Sequence, residues 1–241
     1  MTTREGGSSR PPFDSFNLGD HVGDEPATVS AHREALERGW GVQVAWLRQV
    51  HGTRVVEVSS VLSRPGKVQA AQEEGEEEQG ADASWTATPG VACAVLVADC
   101  LPVLLASRNG RAVGAAHAGW RGLAGGVVEA AVGAVAQGAG CGPEDLVAWL
   151  GPCIGPAQFE VGEDVVQAFG GGARFMPRPR PDGSVRWLAD LPGLARDRLA
   201  RLGLREVAGG QGCTVSEPSR FFSFRRDGPT GRMAAAVWIG R

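Results

Sequence analysis

The chain has 241 residues, 43% hydrophobic and 21% charged, with a formal net charge of −3. That length accommodates one large domain or two small ones, and the balance excludes a disordered tail protein or a bundle of membrane spans. Glu73, Glu74, Glu76, Glu77 and Glu78 account for the acidity, and the rest of the chain has no basic stripe of the kind nucleic-acid binding requires.

The first ten residues contain no apolar run of the signal-peptide type, and the longest apolar stretch, Val91 to Ala106, is broken by Asp99 and Pro102. The expectation is a cytoplasmic protein with neither a membrane nor a nucleic acid as partner. Five cysteines, at 93, 100, 141, 153 and 213, are odd in number and scattered, which points to reduced thiols. Histidine chemistry must draw on His21, His32, His51 or His117.

Residues 1–11 are polar and rich in Gly and Ser, and are expected to be flexible, with one domain over 12–241. A peripheral helix is expected from Thr28 to Arg38, capped by Thr28 or Ser30 and stopped at Gly39. Strands at Val42–Arg48 and Thr53–Val58 flank His51-Gly52. The acidic segment 63–80 has too little apolar content to pack and reads as a solvated loop. Val91–Ala98, Val103–Ser107 and Ala112–Ala116 read as buried strands, the last two joined by an Asn109-Gly110 turn. Leu123–Gln137 carries Val127, Val128, Ala131 and Val135 at helical spacing and ends in a Gly-rich stop. A strand (Leu146–Leu150), a turn (Gly151–Pro156) and a helix (Glu163–Phe169) follow. Then come an irregular Pro/Arg/Gly-rich excursion (Gly170–Ser184), a helix (Leu191–Arg201), and strands near Arg205–Ala208, Arg220–Phe224 and Arg232–Ile239. Without a repeat or linker, the pattern is that of a single α+β domain.

His51, Cys100 and His117 stand at turns beside buried strands, where they can serve a transition metal. The alternatives are an inert buried thiol at Cys100 and a hydrogen-bonded strand end at His117. Asp99 is either a carboxylate that orients a ligand or a cap, because strand alternation points it away from Cys100 unless the chain turns there. Arg121, within Gly119–Gly122, suits an oxyanion, or the glycines only allow tight packing. If Phe221–Arg226 is a strand, Phe222, Phe224 and Arg226 share one side and Phe221, Ser223 and Arg225 the other, so the outward Arg either faces a ligand or pairs with Asp227 at the surface. Cys153 reads as a packed small residue, and His21 and His32 as surface residues.

Five blocks occur in order: Gln49-Val-His-Gly-Thr53, Ala98-Asp-Cys-Leu-Pro-Val103, Gly114-Ala-Ala-His-Ala-Gly-Trp-Arg-Gly122, Gly151-Pro-Cys-Ile-Gly155 and Phe221-Phe-Ser-Phe-Arg-Arg-Asp-Gly228. Together they resemble the YfiH family, also called the polyphenol oxidase or laccase-domain family, from about Phe13 to the C-terminus. The acidic insertion before Ala81 departs from the family pattern. The resemblance implies a sandwich of mixed sheets with helices outside and a catalytic zinc site of His51, Cys100 and His117. It further implies a purine nucleoside phosphorylase acting with phosphate on adenosine, inosine or methylthioadenosine, with adenosine deamination as a second activity. Asn17, in Phe16-Asn-Leu-Gly19, matches a further family block, its amide either binding a ribose hydroxyl or capping a turn, and Asn17, Gln49, Arg121, Arg225 and Arg226 are the candidate substrate-binding residues. Other readings stay open: a thiol hydrolase with Cys100 as nucleophile and His117 as base, a peptidoglycan-editing hydrolase, or weak polyphenol oxidation with copper. Four histidines are too few for a blue-copper site together with a trinuclear cluster, so copper is the second candidate to zinc.

Overall fold

The computed structural model describes residues 1–59 and 80–240. The solvated loop expected at 63–80 lies outside the described residues except for Gly80. In chain order the elements are α1 (Pro26–Trp40), β1 (Gln43–Ala45), β2 (Val55–Glu57), β3 (Ala83–Thr86), β4 (Val91–Val97), β5 (Leu101–Ser107), β6 (Val113–Ala118), α2 (Trp120–Gly125), α3 (Val127–Ala139), β7 (Leu146–Leu150), β8 (Glu160–Val161), α4 (Glu163–Ala168), β9 (Phe175–Pro179), β10 (Val185–Ala189), α5 (Leu191–Arg201), β11 (Glu206–Gly209), α6 (Phe224–Asp227) and β12 (Met233–Trp238).

A six-stranded sheet in the order β11-β7-β5-β6-β3-β2 forms the middle layer, antiparallel except where β11 joins β7 and β2 joins β3. A second sheet, β1-β4-β12, covers one face, with Val95, Val97, Met233 and Ala235 packed together with Ala115, Phe221 and Phe222. Helices α3 and α5 cover the other, where Val128, Val132 and Leu199 share a core with Leu101, Val103 and Ala116. Being covered on both sides explains why β4 and β6 are buried at every position and read as continuous apolar runs. A small antiparallel sheet, β8-β10-β9, is not hydrogen bonded to these two sheets but adds Val161, Phe175 and Ala189 to the core on the helix side. No helix among the described residues is long and apolar enough to cross a membrane.

Several expectations need correction. The helix expected over Leu123–Gln137 starts at Trp120 and is split at Gly126, whose φ of 102° breaks it into α2 and α3. The excursion at Gly170–Ser184 contains β9, which pairs with β10 through Phe175↔Ala189 to Pro179↔Val185. Proline there costs little because a strand with a free edge does not need every N–H. The strand expected at Arg220–Phe224 is instead a turn leading into α6, capped by Ser223, whose hydroxyl accepts from Arg226 N–H. The two-sided alternation of Phe221–Arg226 therefore does not exist. His32 is not at the surface: it is buried, its Nε2 accepts from Ser8 N–H at 2.9 Å and its Nδ1 donates to Asn17 O at 2.9 Å. The first residues are hydrogen bonded to the end of the chain, with Thr2 N–H donating to Ala234 O and Arg4 N–H to Arg220 O.

Candidate metal centre

The strands bring three distant segments to one end of the central layer. His117 closes β6 on the face it shares with Val113 and Ala115, Cys100 stands at the tight turn between β4 and β5, and His51 occupies the loop between β1 and β2. One ligand atom from each lies within 4.8 Å of the other two. Cys100 Sγ is 3.8 Å from His51 Nε2, and the two imidazole rings meet edge to face at 4.8 Å between centroids. His117 is buried, whereas His51 is exposed and keeps one side of the cluster open to solvent.

Two backbone features shape this corner. His51 has φ 61° and Asp99 φ 100°, left-handed conformations that non-glycine residues hold only when their surroundings compensate. At His51 the compensation comes from Asp82. Its fully buried carboxylate accepts from His51 N–H (2.9 Å) and His117 Nδ1 (2.8 Å) on Oδ1, and from Val50 N–H (3.1 Å) and Gly52 N–H (2.7 Å) on Oδ2. A single carboxylate thus shapes the His51 loop and, by taking the Nδ1 proton of His117, turns that ring's Nε2 toward the cluster. Gly119 is the other requirement, since a Cβ there would stand 2.8 Å from Cys100 Sγ and 3.0 Å from His51 Cδ2.

The electrostatics follow from the packing. Burial alone would raise the Cys100 thiol, but the charge and hydrogen bonds of His117 and His51 outweigh it and bring it down to about 6. Burial opposes charge on His117 too, yet Cys100 and Asp82 hold it up at about 9. Asp82 itself stays below the usual carboxylate range, because the His117 and backbone hydrogen bonds overcome its burial. Each group of this buried pair thus favours the charged form of the other, the thiol shifted down and the imidazole up.

The donor set fits a metal. Bond lengths of about 2.0–2.3 Å to two nitrogens and a sulfur imply ligand atoms roughly 3.3–3.6 Å apart in a tetrahedral site, and Cys100 Sγ and His51 Nε2, at 3.8 Å, stand close to that spacing. Three protein ligands, one of them oriented by a carboxylate, leave a fourth position open, the pattern of catalytic sites.

The remaining sequence candidates are distributed differently. Gln49 spends its amide on β4, donating to Leu96 O (2.9 Å) and accepting from Leu96 N–H (2.7 Å). The fully buried Asn17 side chain makes four hydrogen bonds within the protein. Arg226 is tied to both carboxylate oxygens of Asp227 and to the carbonyls of Thr214 and Phe221. Arg225 is exposed, its Nη1 donating to Glu160 O at 3.0 Å. Arg121 is exposed as well; it stacks over Trp120 at 4.4 Å and has no ion-pair partner among the described residues. Asp99 does not touch the cluster histidines: the chain turns there, and its carboxylate accepts from Thr214 Oγ1 (2.5 Å) and Arg225 N–H (2.6 Å), anchoring the segment before α6. Sequence reasoning missed Asp82, the carboxylate that does orient a ligand. Its only signal was an acidic residue opening a buried strand.

A single α+β domain with a His–Cys–His cluster at one sheet end defines the class, and comparison with known proteins gives the family. The chain belongs to the multi-copper polyphenol oxidoreductase laccase family, whose profile matches residues 1–240. A protein of Pseudomonas aeruginosa named purine nucleoside phosphorylase is 46% identical over 99% of this chain and 92% of its own length. The Escherichia coli protein named purine nucleoside phosphorylase YfiH is 44% identical over the same shares. Among solved structures, one from Neisseria meningitidis matches with a TM-score of 0.84 at 45% identity, covering 100% of this chain and 93% of that one. YlmD of Geobacillus stearothermophilus matches at 0.84 with 30% identity, covering 100% of this chain and 90% of its own.

Proposed function

We propose that this chain is a zinc-dependent purine nucleoside phosphorylase acting on adenosine, inosine or methylthioadenosine, with adenosine deamination as a second activity of the same site. The observation that carries the reading is the His51–Cys100–His117 cluster with His117 oriented by Asp82, in a chain 44–46% identical to two proteins named purine nucleoside phosphorylase. Two imidazoles and a thiolate suit zinc, with copper second. Held by these three residues, the ion would supply a Lewis acid with one open position.

In phosphorolysis an oxygen of hydrogen phosphate bonds to the ribose C1′ as the bond from C1′ to the purine nitrogen breaks, and the phosphate's proton ends on the departing base. The protein's own tasks are to hold the anion and to keep the ligands in place. Arg121 at the rim, stiffened by its stack on Trp120, offers free donors to an entering phosphate. Asp82 holds the His117 ring and the backbone of the loop that carries His51. Adenosine with and without phosphate tests the reading: phosphate-dependent release of adenine supports phosphorolysis, release of inosine supports deamination, and neither product refutes both.

Thiol hydrolysis is a second reading, favoured by the lowered Cys100 thiol beside His117. Stoichiometric zinc in protein purified without added metal would refute it, because a metal-bound sulfur is not free to attack.

A further inference from the structure

The turn Asn17-Leu18-Gly19 has a task other than touching a ribose. Asn17 Oδ1 accepts from Gly19 N–H (2.9 Å) and Arg232 N–H (2.8 Å), while Nδ2 donates to Gly19 O (3.1 Å) and Asp24 Oδ2 (2.9 Å). Leu18 N–H donates to Arg232 O at 3.0 Å, so the turn grips both sides of the Arg232 backbone. A Cβ on Gly19 would lie 2.7 Å from Arg232 Cγ. The missing side chain is thus the channel through which the arginine stem runs.

Arg232 directly precedes β12, whose Met233 pairs with Val97 of β4, so it stands beside the Ala98-Asp99-Cys100 end of that strand. Its Nη1 donates to Thr230 O (2.8 Å) and Gly231 O (3.1 Å), and Nε and Nη2 have no partner among the described residues. Asp99 is not that partner: no hydrogen bond or ion pair joins it to Arg232 among the described residues, and its oxygens accept from Thr214 Oγ1 and Arg225 N–H. Burial lowers the Arg232 guanidinium from its usual range, with the charges of Cys100 and Asp99 acting in the opposite sense. A half-buried guanidinium with Nε and Nη2 unspent can exchange water for a ligand that accepts from both.

We propose that Arg232 is the inner anion-binding residue of this site and that the Asn17–Gly19 turn serves to aim it. The anion's identity as phosphate rests on the phosphorolysis reading. Nε and Nη2 lie on one edge of the guanidinium and present two parallel donors, the geometry that suits two oxygens of one oxyanion. Arg121 at the rim meets the anion first, and Arg232 holds it beside the cluster.

The test uses the full chain loaded with zinc. Arg232→Lys keeps the stem and charge but loses the paired donors, and Arg232→Ala loses all three. With adenosine saturating, the phosphate KM should rise about 10- to 100-fold in Arg232→Ala and less in Arg232→Lys, with the adenosine KM within about threefold of wild type. Millimolar guanidinium should restore part of the Arg232→Ala rate, which a merely structural arginine would not allow. Wild-type phosphorolysis with an unchanged phosphate KM in both variants overturns the assignment and leaves the function standing. Should the wild type show no phosphate-dependent turnover, the function falls, and calorimetric titration with inorganic phosphate decides the residue alone. Binding by wild type that Arg232→Lys weakens supports the assignment; equal binding by both, or none by wild type, overturns it.

Discussion

Replacing Asp82 by Asn exchanges one carboxylate oxygen for an NH2 group and tests how the corner is built. Each Asp82 oxygen accepts two hydrogen bonds, Oδ1 from His51 N–H and His117 Nδ1, Oδ2 from Val50 and Gly52 N–H. An amide accepts on one oxygen only, so whichever way it flips, its NH2 faces two donors and two of the four bonds are lost. An unpaired buried donor costs about 1–3 kcal/mol. Because Val50 and His51 are exposed, water can replace part of the loss, and we expect about 2–3 kcal/mol, or a Tm lower by roughly 5–10 °C in a domain of this size. The same change removes the anion that orients His117, and loss of such a partner typically weakens metal binding 10- to 100-fold. The assay is a thermal melt in chelator followed by zinc competition against a chromophoric chelator at a temperature where the variant is fully folded. A lowered Tm with zinc affinity within threefold of wild type would reduce Asp82 to a loop cradle and refute its role at the metal. An unchanged Tm would refute the hydrogen-bond argument itself.

Cys100→Ala should leave the Tm of metal-free protein within about 1 kcal/mol of wild type but abolish zinc binding and turnover; unchanged turnover would exclude the metal and thiol mechanisms together. In metal-stripped protein the lowered Cys100 thiol titrates at about 6, so iodoacetamide should label it at a rate that is flat above pH 7 and falls below pH 6. Cys153, buried and pushed well above the ordinary thiol range, should stay unlabelled, added zinc should protect Cys100, and a labelling rate still rising through pH 8–9 would contradict the downward shift of the Cys100 thiol. Arg121→Ala should raise the phosphate KM about 10- to 100-fold with zinc content unchanged, and an unaltered phosphate KM in the folded variant would remove Arg121 from the site.

The fold was legible wherever burial is two-sided. β4 and β6 are apolar runs because a layer covers each face, β5 and β7 stay apolar although alternate residues are only half-buried, and α5 is framed by Asp190, whose side chain accepts from Gly193 N–H, and by Gly203 just beyond its end. The misreadings share a cause: apolar content reports burial and does not distinguish strand from turn. Phe221 and Phe222 are core residues, yet they reach the core from a turn, and Ser223 starts a helix by capping it. Conversely, β9 was hidden by its prolines, which an antiparallel ladder with a free edge tolerates.

The cluster was legible in its residue types and not in its wiring, for a physical reason. A metal ligand must be His, Cys or a carboxylate, so its residue type advertises its chemistry, whereas the groups that orient ligands are ordinary polar residues whose partners lie far away in sequence. Asp82 sits 31 and 35 residues from two of its partners, His51 and His117, and Asn17 and Arg232 are 215 apart. Short motifs mark such residues without saying what they hold. The block around Asn17 resembled a substrate contact, and the block around Gln49 did too, but both side chains bond the protein's own backbone and carry position to the residues beside the cluster. The buried amides build the frame, and the arginines with unspent donors, Arg121 at the rim and Arg232 within, are what the frame leaves free to meet an anion.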